Sequence, residues 1–150
     1  MDTPSWGASP EAWRHFAQRL GLTEDLLPVV SNPHAKIAEL SKLKDLGKTP
    51  SRYNNAGQVV GIPSWTAQLT TEKQVKLWSS QGDLGICVQT RNVRAIDIDI
   101  EHVDRAREVM EMFQFELGPL PVRRRPGTGK CLLALRVAGS LTKRVLRTEH

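Results

Sequence analysis

Arg94-Ala95-Ile96-Asp97-Ile98-Asp99-Ile100-Glu101 is the stretch whose reading decides the fold. In an extended strand successive side chains point to opposite faces, so Asp97, Asp99 and Glu101 point one way and Ile96, Ile98 and Ile100 the other. β-branched isoleucines favour a strand, and a row of them asks to be buried under a helix layer. One face is therefore core and the other acid. On such a strand Asp97 and Asp99 stand about 6.5 Å apart. At an effective dielectric of about 20, two ionised carboxylates at that spacing repel by roughly 2.5 kcal/mol. A hard cation between them relieves the repulsion, and Mg²⁺ takes one or two carboxylates while leaving its other positions to water and phosphate oxygens. The competing reading is a solvated edge strand whose acids face water or pair with the arginines of the chain. The unbroken isoleucine row behind the acids favours the metal.

C-terminal to this strand, Val103, Ala106, Met110, Phe113 and Leu117 trace one face of a helix that Gly118-Pro119 ends, and that face can cover the isoleucines. Glu101 either shares the acidic face or caps this helix, and the cap is the expected role. Val122 to Arg125 and Lys130 to Val137 then read as a strand pair joined by the basic turn Pro126-Gly127-Thr128-Gly129. Gly127-Thr128-Gly129-Lys130 is not a P-loop. Arg124 stands where that motif needs its first glycine, Cys131 where it needs Ser or Thr, and a strand follows where a helix should. What remains is a glycine turn flanked by Arg125 and Lys130, which can face an anion, or else an ordinary hairpin turn with solvated charges.

On the N-terminal side, Leu84 to Thr90 reads as a strand that Arg91-Asn92 turns back into the acidic strand as a hairpin. Thr71 with Gln74 makes a capping box for a short helix carrying Val75 and Trp78. Gly47 to Trp65 has loop composition, and its Lys48 and Arg52 can reach an anion. Ala35 to Leu46 shows Ile37, Leu40, Leu43 and Leu46 at three-residue steps and predicts a helix closed by Gly47. Leu26 to Val30 predicts a strand that Pro28 confines to an edge. Ser9-Pro10-Glu11 opens a packing helix carrying Trp13, Phe16, Ala17 and Leu20, with Gly21 as its stop. The order β-α-β-β-α-β-β with hairpins predicts an α+β fold with mixed or antiparallel sheets, not a doubly wound parallel one.

At 150 residues and 39% hydrophobic content the chain suits one cored domain. No apolar run approaches a membrane span or a signal peptide, so a soluble, cytoplasmic protein is expected. Cys87 and Cys131 lack neighbours at ligand spacing and are expected as reduced thiols. The net charge of +5 is uneven: from Pro119 onward eight Lys or Arg face one acid, Glu149. Such an end suits a polyanion.

The ordered set Leu27-Pro28-Val29-Val30, Gly47-Lys48-Thr49-Pro50-Ser51, Gly61-Ile62-Pro63-Ser64-Trp65, Trp78, Gly82-Asp83-Leu84-Gly85-Ile86, Ala95-Ile96-Asp97-Ile98-Asp99 and Arg125-Pro126-Gly127-Thr128-Gly129-Lys130 resembles the N-terminal primase-polymerase domain of the archaeo-eukaryotic primase superfamily, in the form carried by bacteriophages and mobile elements. The resemblance covers about residues 26 to 148 and leaves 1–25 as an N-terminal helical extension. It implies an RRM-like catalytic subdomain joined to an N-terminal α/β subdomain. It also implies a DNA primase or DNA polymerase, a template-directed nucleotidyltransferase using Mg²⁺ or Mn²⁺. Asp97 and Asp99 match its first metal-binding motif. Lys130, with Arg125, Thr128 and Gly129 beside it, matches the motif that contacts the incoming nucleotide. Arg123, Arg124, Lys143, Arg144 and Arg147 would then track a single-stranded DNA template, with NTP or dNTP as substrate and a replicative helicase as a possible partner.

The chain departs from the family's pattern twice. Lys130 stands where the family usually has histidine, which keeps a phosphate-binding charge but changes how a leaving pyrophosphate would be protonated. The family's third acidic motif lies on a later strand, so the 1–150 segment is expected to be truncated before it. Two other readings stay open: a non-catalytic nucleotide- or nucleic-acid-binding module, and a metal-dependent nuclease. The nuclease ranks last because no acid-x-Lys pair shares the strand of Asp97 and Asp99.

Overall fold

The computed structural model describes residues 5–139 and 141–147; residues 1–4 of the expected helical extension, and residue 148 at the end of the resembling region, lie outside them. The chain forms two compact units, Met1–Arg91 and Asn92–His150. Both are mixed α and β with small antiparallel sheets, as expected for the α+β class.

In the first unit, Ser9 caps α1 (Pro10–Arg14) by accepting from the Ala12 amide, with Pro10 in the first turn, and the chain continues as a π-helical turn over His15–Arg19. Trp13 is fully buried and its ring tilts against that of Trp78 with centroids 6.2 Å apart. β1 (Leu26–Val30) is buried along its whole length and pairs antiparallel with β4 (Leu84–Val88), Leu26 opposite Val88 and Val30 opposite Leu84. These two strands make their own sheet, so Pro28 does sit in an edge strand. α2 (Glu72–Ser79) carries the full capping box of Thr71 and Gln74 and buries Val75 and Trp78.

Three sequence expectations fail in this unit. Ala35 to Leu46 is not a helix: Ile37 makes a parallel bridge to Val59, and Leu40 is 99% exposed. Steps of three residues rotate by 60° per step against a 3.6-residue turn, so four leucine and isoleucine positions spread half-way round a helix and form no stripe. The loop expected from Gly47 to Trp65 instead holds a hairpin. β2 (Ser51–Tyr53) pairs with β3 (Val59–Gly61), and Asn54 closes the turn by accepting from the amides of Ala56 and Gln58. β4 also does not turn back at Arg91-Asn92. Arg91 instead points its guanidinium at Asp25 Oδ1 (2.7 Å) and the carbonyls of Gln68 (3.0 Å) and Glu24 (2.6 Å), and the next strand pairs elsewhere.

The second unit is a β-α-β-β layer. β5 (Val93–Ile98) pairs with β7 (Cys131–Arg136), which also pairs with β6 (Val122–Arg124), giving the antiparallel order β5-β7-β6. α3 (Val103–Leu117) covers one face and ends at Gly118, whose φ of 83° is one that a glycine adopts and L side chains rarely do. Ile98, Ala106, Met110, Cys131 and Leu133 form the core, with Ile96, Ile100, Val109, Phe113, Leu120 and Val122 packed against it. Ile98 is thus buried under the helix, with Ile96 and Ile100 half-buried beside it, and Asp97 is exposed.

Candidate cation and phosphate site

Every element of the site belongs to the second unit. β5 ends at Ile98, so Asp99 and Glu101 lie just past the strand, in the link to α3, and the strict alternation stops before them. Glu101 is not the helix cap. His102 takes that position, its Nδ1 accepting from the Arg105 amide at 3.4 Å. Imidazole nitrogen can accept as a capping oxygen does, and this frees the Glu101 side chain.

The turn after β6 is built by its own residues. Pro126 presets its backbone angle and Gly127 adopts φ 75°, while Thr128 donates its amide to the Arg125 carbonyl at 3.4 Å, the pattern of a type II turn. Thr128 Oγ1 donates to the Arg125 carbonyl and accepts from the Lys130 amide at 3.2 Å, so this hydroxyl sets the turn. Gly129 is required by close packing. A Cβ there would stand 2.9 Å from Ala106 Cβ and 2.9 Å from the Ile100 carbonyl oxygen. That contact holds the turn against the start of α3 and brings Lys130 beside the end of β5.

There Lys130 Nζ meets two carboxylates, Asp99 Oδ1 at 2.8 Å and Glu101 Oε1 at 3.5 Å. The hydrogen bond from Lys130 and then its charge hold the Asp99 carboxyl below its ordinary range against an opposing desolvation, and the charge of Arg125 adds the smallest lowering effect. The same hydrogen bond and charge raise the Lys130 ammonium, with Glu101 adding to the shift. Both acids are open, their side chains 74% and 87% exposed, so the pairing contributes little to stability. Its consequence is chemical. Two hard oxygen donors converge on one cationic position, and a second cation, Arg125, acts on the same carboxylate.

The structure therefore brings Asp99, Glu101, Lys130 and Arg125 together, with Asp97 two residues before Asp99 on the outer face of β5 opposite Leu132. Among the described residues no three His, Cys, Asp or Glu side chains lie close enough to hold a metal ion by themselves. Arg123 and Arg124 lie on opposite faces of β6. Arg124 turns toward α3, its Nη2 3.3 Å from Met110 Sδ, and Arg123 takes the other face. Lys143, Arg144 and Arg147 are exposed and outside any helix or strand.

Lys48 and Arg52 belong to the first unit. Lys48 pairs with Asp45 at 3.0 Å, and Arg52 is exposed on β2. A cleft of about 920 Å³ in that unit, lined by Lys42, Leu43, Gln58 and Trp65 among others, contains none of the predicted site residues. Sequence reasoning missed one polar cluster there: Asp83 Oδ2 accepts from Asn32 Nδ2 at 2.9 Å and from the Tyr53 hydroxyl at 2.8 Å. Burial, then the Asp83 hydrogen bond and charge, push the Tyr53 phenol up to about 12. Both cysteines are free thiols, and burial raises that of Cys87. No described helix is long and apolar enough to cross a membrane. Comparison with protein families, with curated proteins and with solved structures returns no match.

Proposed function

We propose that the chain is the nucleotide-handling part of a template-directed nucleotidyltransferase, a DNA primase or polymerase domain that adds nucleotides to a primer or an initiating nucleotide. The observation that carries this reading is the convergence of Asp99 and Glu101 on one cation beside a glycine turn that presents Arg125 and Lys130. Carboxylate oxygens with open neighbouring space suit Mg²⁺ or Mn²⁺, which complete their shells with water and phosphate oxygens. When bound, two such ions activate a 3′-hydroxyl and neutralise the triphosphate during an in-line displacement. Asp97 and Asp99 hold the ions, and Glu101 adds an oxygen on the helix side. Arg125 and Lys130 steady the β- and γ-phosphates. Arg123 and the cations of 143–147 track the backbone of single-stranded DNA without reading its sequence, while Arg124, turned onto Met110, is left out of that face.

The test is primer synthesis or extension with Mg²⁺ or Mn²⁺ and either NTP or dNTP. Asp97→Ala/Asp99→Ala is expected to abolish it, and unchanged activity in that variant would end the proposal. A second reading, a binding module without catalysis, is favoured by the lack of any three-ligand cluster among the described residues. Retained DNA binding with no metal-dependent affinity for a nucleoside triphosphate would select it.

A further inference from the structure

Two stretches that the sequence sets apart, Gly47-Lys48-Thr49-Pro50-Ser51 and Gly61-Ile62-Pro63-Ser64-Trp65, take no part in the cation and phosphate site. They meet in the first unit, where the Ile62 amide donates to the Pro50 carbonyl at 3.1 Å. Thr49 from one stretch and Ile62 and Trp65 from the other line the cleft of about 920 Å³. That volume is near the top of the range of roughly 300–1,000 Å³ in which small ligands are held. Ser64 alone among the described non-glycine residues has a positive φ, 48°, and it stands immediately before Trp65. A side chain held in that backbone region is strained, and the strain here serves to set a half-buried indole on the cleft wall. Asn54 supplies a fixed polar group. Its Oδ1 accepts from the amides of Ala56 and Gln58, both at 2.9 Å, which locks the carboxamide. Its Nδ2 donates to no described residue and is not buried, so two donors stand ready in a set orientation. Asn54 also borders a second, smaller hollow of about 430 Å³ that contains Arg52. Along the two hollows Lys42 and Arg52 are exposed and ion-paired with no acid among the described residues, against one carboxylate, Glu39.

We infer that this cleft takes an unpaired base of a single-stranded nucleic acid, and that Lys42 and Arg52 hold phosphates of the same strand. An indole stacks on the face of any base, which is why aromatic side chains interleaved with cations suit single strands without selecting a sequence. The fixed Asn54 donors reach the ring-nitrogen or carbonyl acceptors that every base carries. A duplex keeps its bases stacked inside and leaves the cleft empty. Every group of this site belongs to the first unit, so the binding needs neither Asp97 nor Asp99 nor a divalent ion.

The experiment titrates the 150-residue chain, with EDTA present, into a dye-labelled oligothymidylate and into an abasic strand of the same length and charge, and follows fluorescence anisotropy. Wild type is compared with Trp65→Ala and Trp65→Leu, and circular dichroism confirms that each variant is folded. Wild type should bind the base-bearing strand about tenfold more tightly than the abasic one. Both Trp65 variants should lose that difference by weakening on the base-bearing strand alone. Lys42→Met combined with Arg52→Met should instead weaken both strands and leave their ratio unchanged. Equal affinity for the two strands in wild type, or a difference that survives in a folded Trp65 variant, overturns the base site. A Trp65-dependent change in fluorescence on adding a leucine- and proline-rich peptide, with none on adding oligothymidylate, overturns it too and makes the cleft a peptide groove. No divalent ion is present, so failure of the base site leaves the nucleotidyltransferase reading standing, and failure of primer synthesis leaves the base site standing.

Discussion

Tyr53 is the only tyrosine in the chain, which makes its ionisation directly readable. Its hydroxyl donates to Asp83, and burial with that carboxylate raises its pKa to about 12. A raised phenol means that folding favours the neutral form. This contribution to stability is whole below the unfolded value near 10 and is lost as pH climbs from there through about 12. Absorbance titration at 295 nm should place the midpoint near 12 in the native protein and near 10 in denaturant, and coincident midpoints would refute the Asp83 contact. Gly129 is the second residue whose role is local and sharp. Gly129→Ala forces a methyl into the Ala106 and Ile100 contacts and should cost about 1–3 kcal/mol, read as a lower urea midpoint. The Arg91 and Asp25 pair is the third. Asp25 is 2% exposed at its side chain, and Arg91→Met, which removes its cationic partner from this buried carboxylate, should lower stability by about 3 kcal/mol. A loss below about 0.5 kcal/mol would mean that Asp25 is satisfied by its other contacts.

At the scale of elements, what could be read from the sequence was what is fixed locally. Ile96 and Ile98 with Asp97 between them declared a half-buried strand, and α3 announced its apolar stripe and its glycine stop. The capping box of Thr71 and Gln74 was equally plain, since both halves lie within one turn. Pairing partners were not plain. Nothing near Arg91 says that β4 will choose β1, 54 or more positions earlier, because that choice is made by the buried surface of Leu26 to Val30 and by Arg91 reaching back to Asp25. The Ala35–Leu46 segment failed for a different reason, a three-residue rhythm mistaken for a helical one. At the site, the sequence indicated the acids and the glycine turn, but it gave Glu101 a capping role that His102 performs. The lysine bridge was the part no local pattern encoded. It depends on Gly129 allowing two segments some thirty residues apart to touch.

For the whole molecule, the proposed binding of a nucleic acid rests on the charge asymmetry. Eight cations face one acid after Pro119, and Arg123, Lys143, Arg144 and Arg147 are exposed. Binding of single-stranded DNA should weaken linearly with the logarithm of salt, and each cation that contacts a phosphate should contribute about 0.7 to that slope. Reversing Arg123 and Lys143 together is then expected to lower the slope by roughly 1.4, equally for all sequences, in fluorescence anisotropy. An unchanged slope would remove these residues from the interface.

On the proposed function, the end of β5 and the glycine turn would hold a divalent ion and a triphosphate together. Calorimetric titration of a nucleoside triphosphate into the chain, with Mn²⁺ and then with the ion chelated, tests it most directly, alongside Asp99→Asn. Binding is expected to require Mn²⁺ and to fall at least tenfold in Asp99→Asn. Equal affinity with and without the ion, or in the variant and wild type, would contradict it.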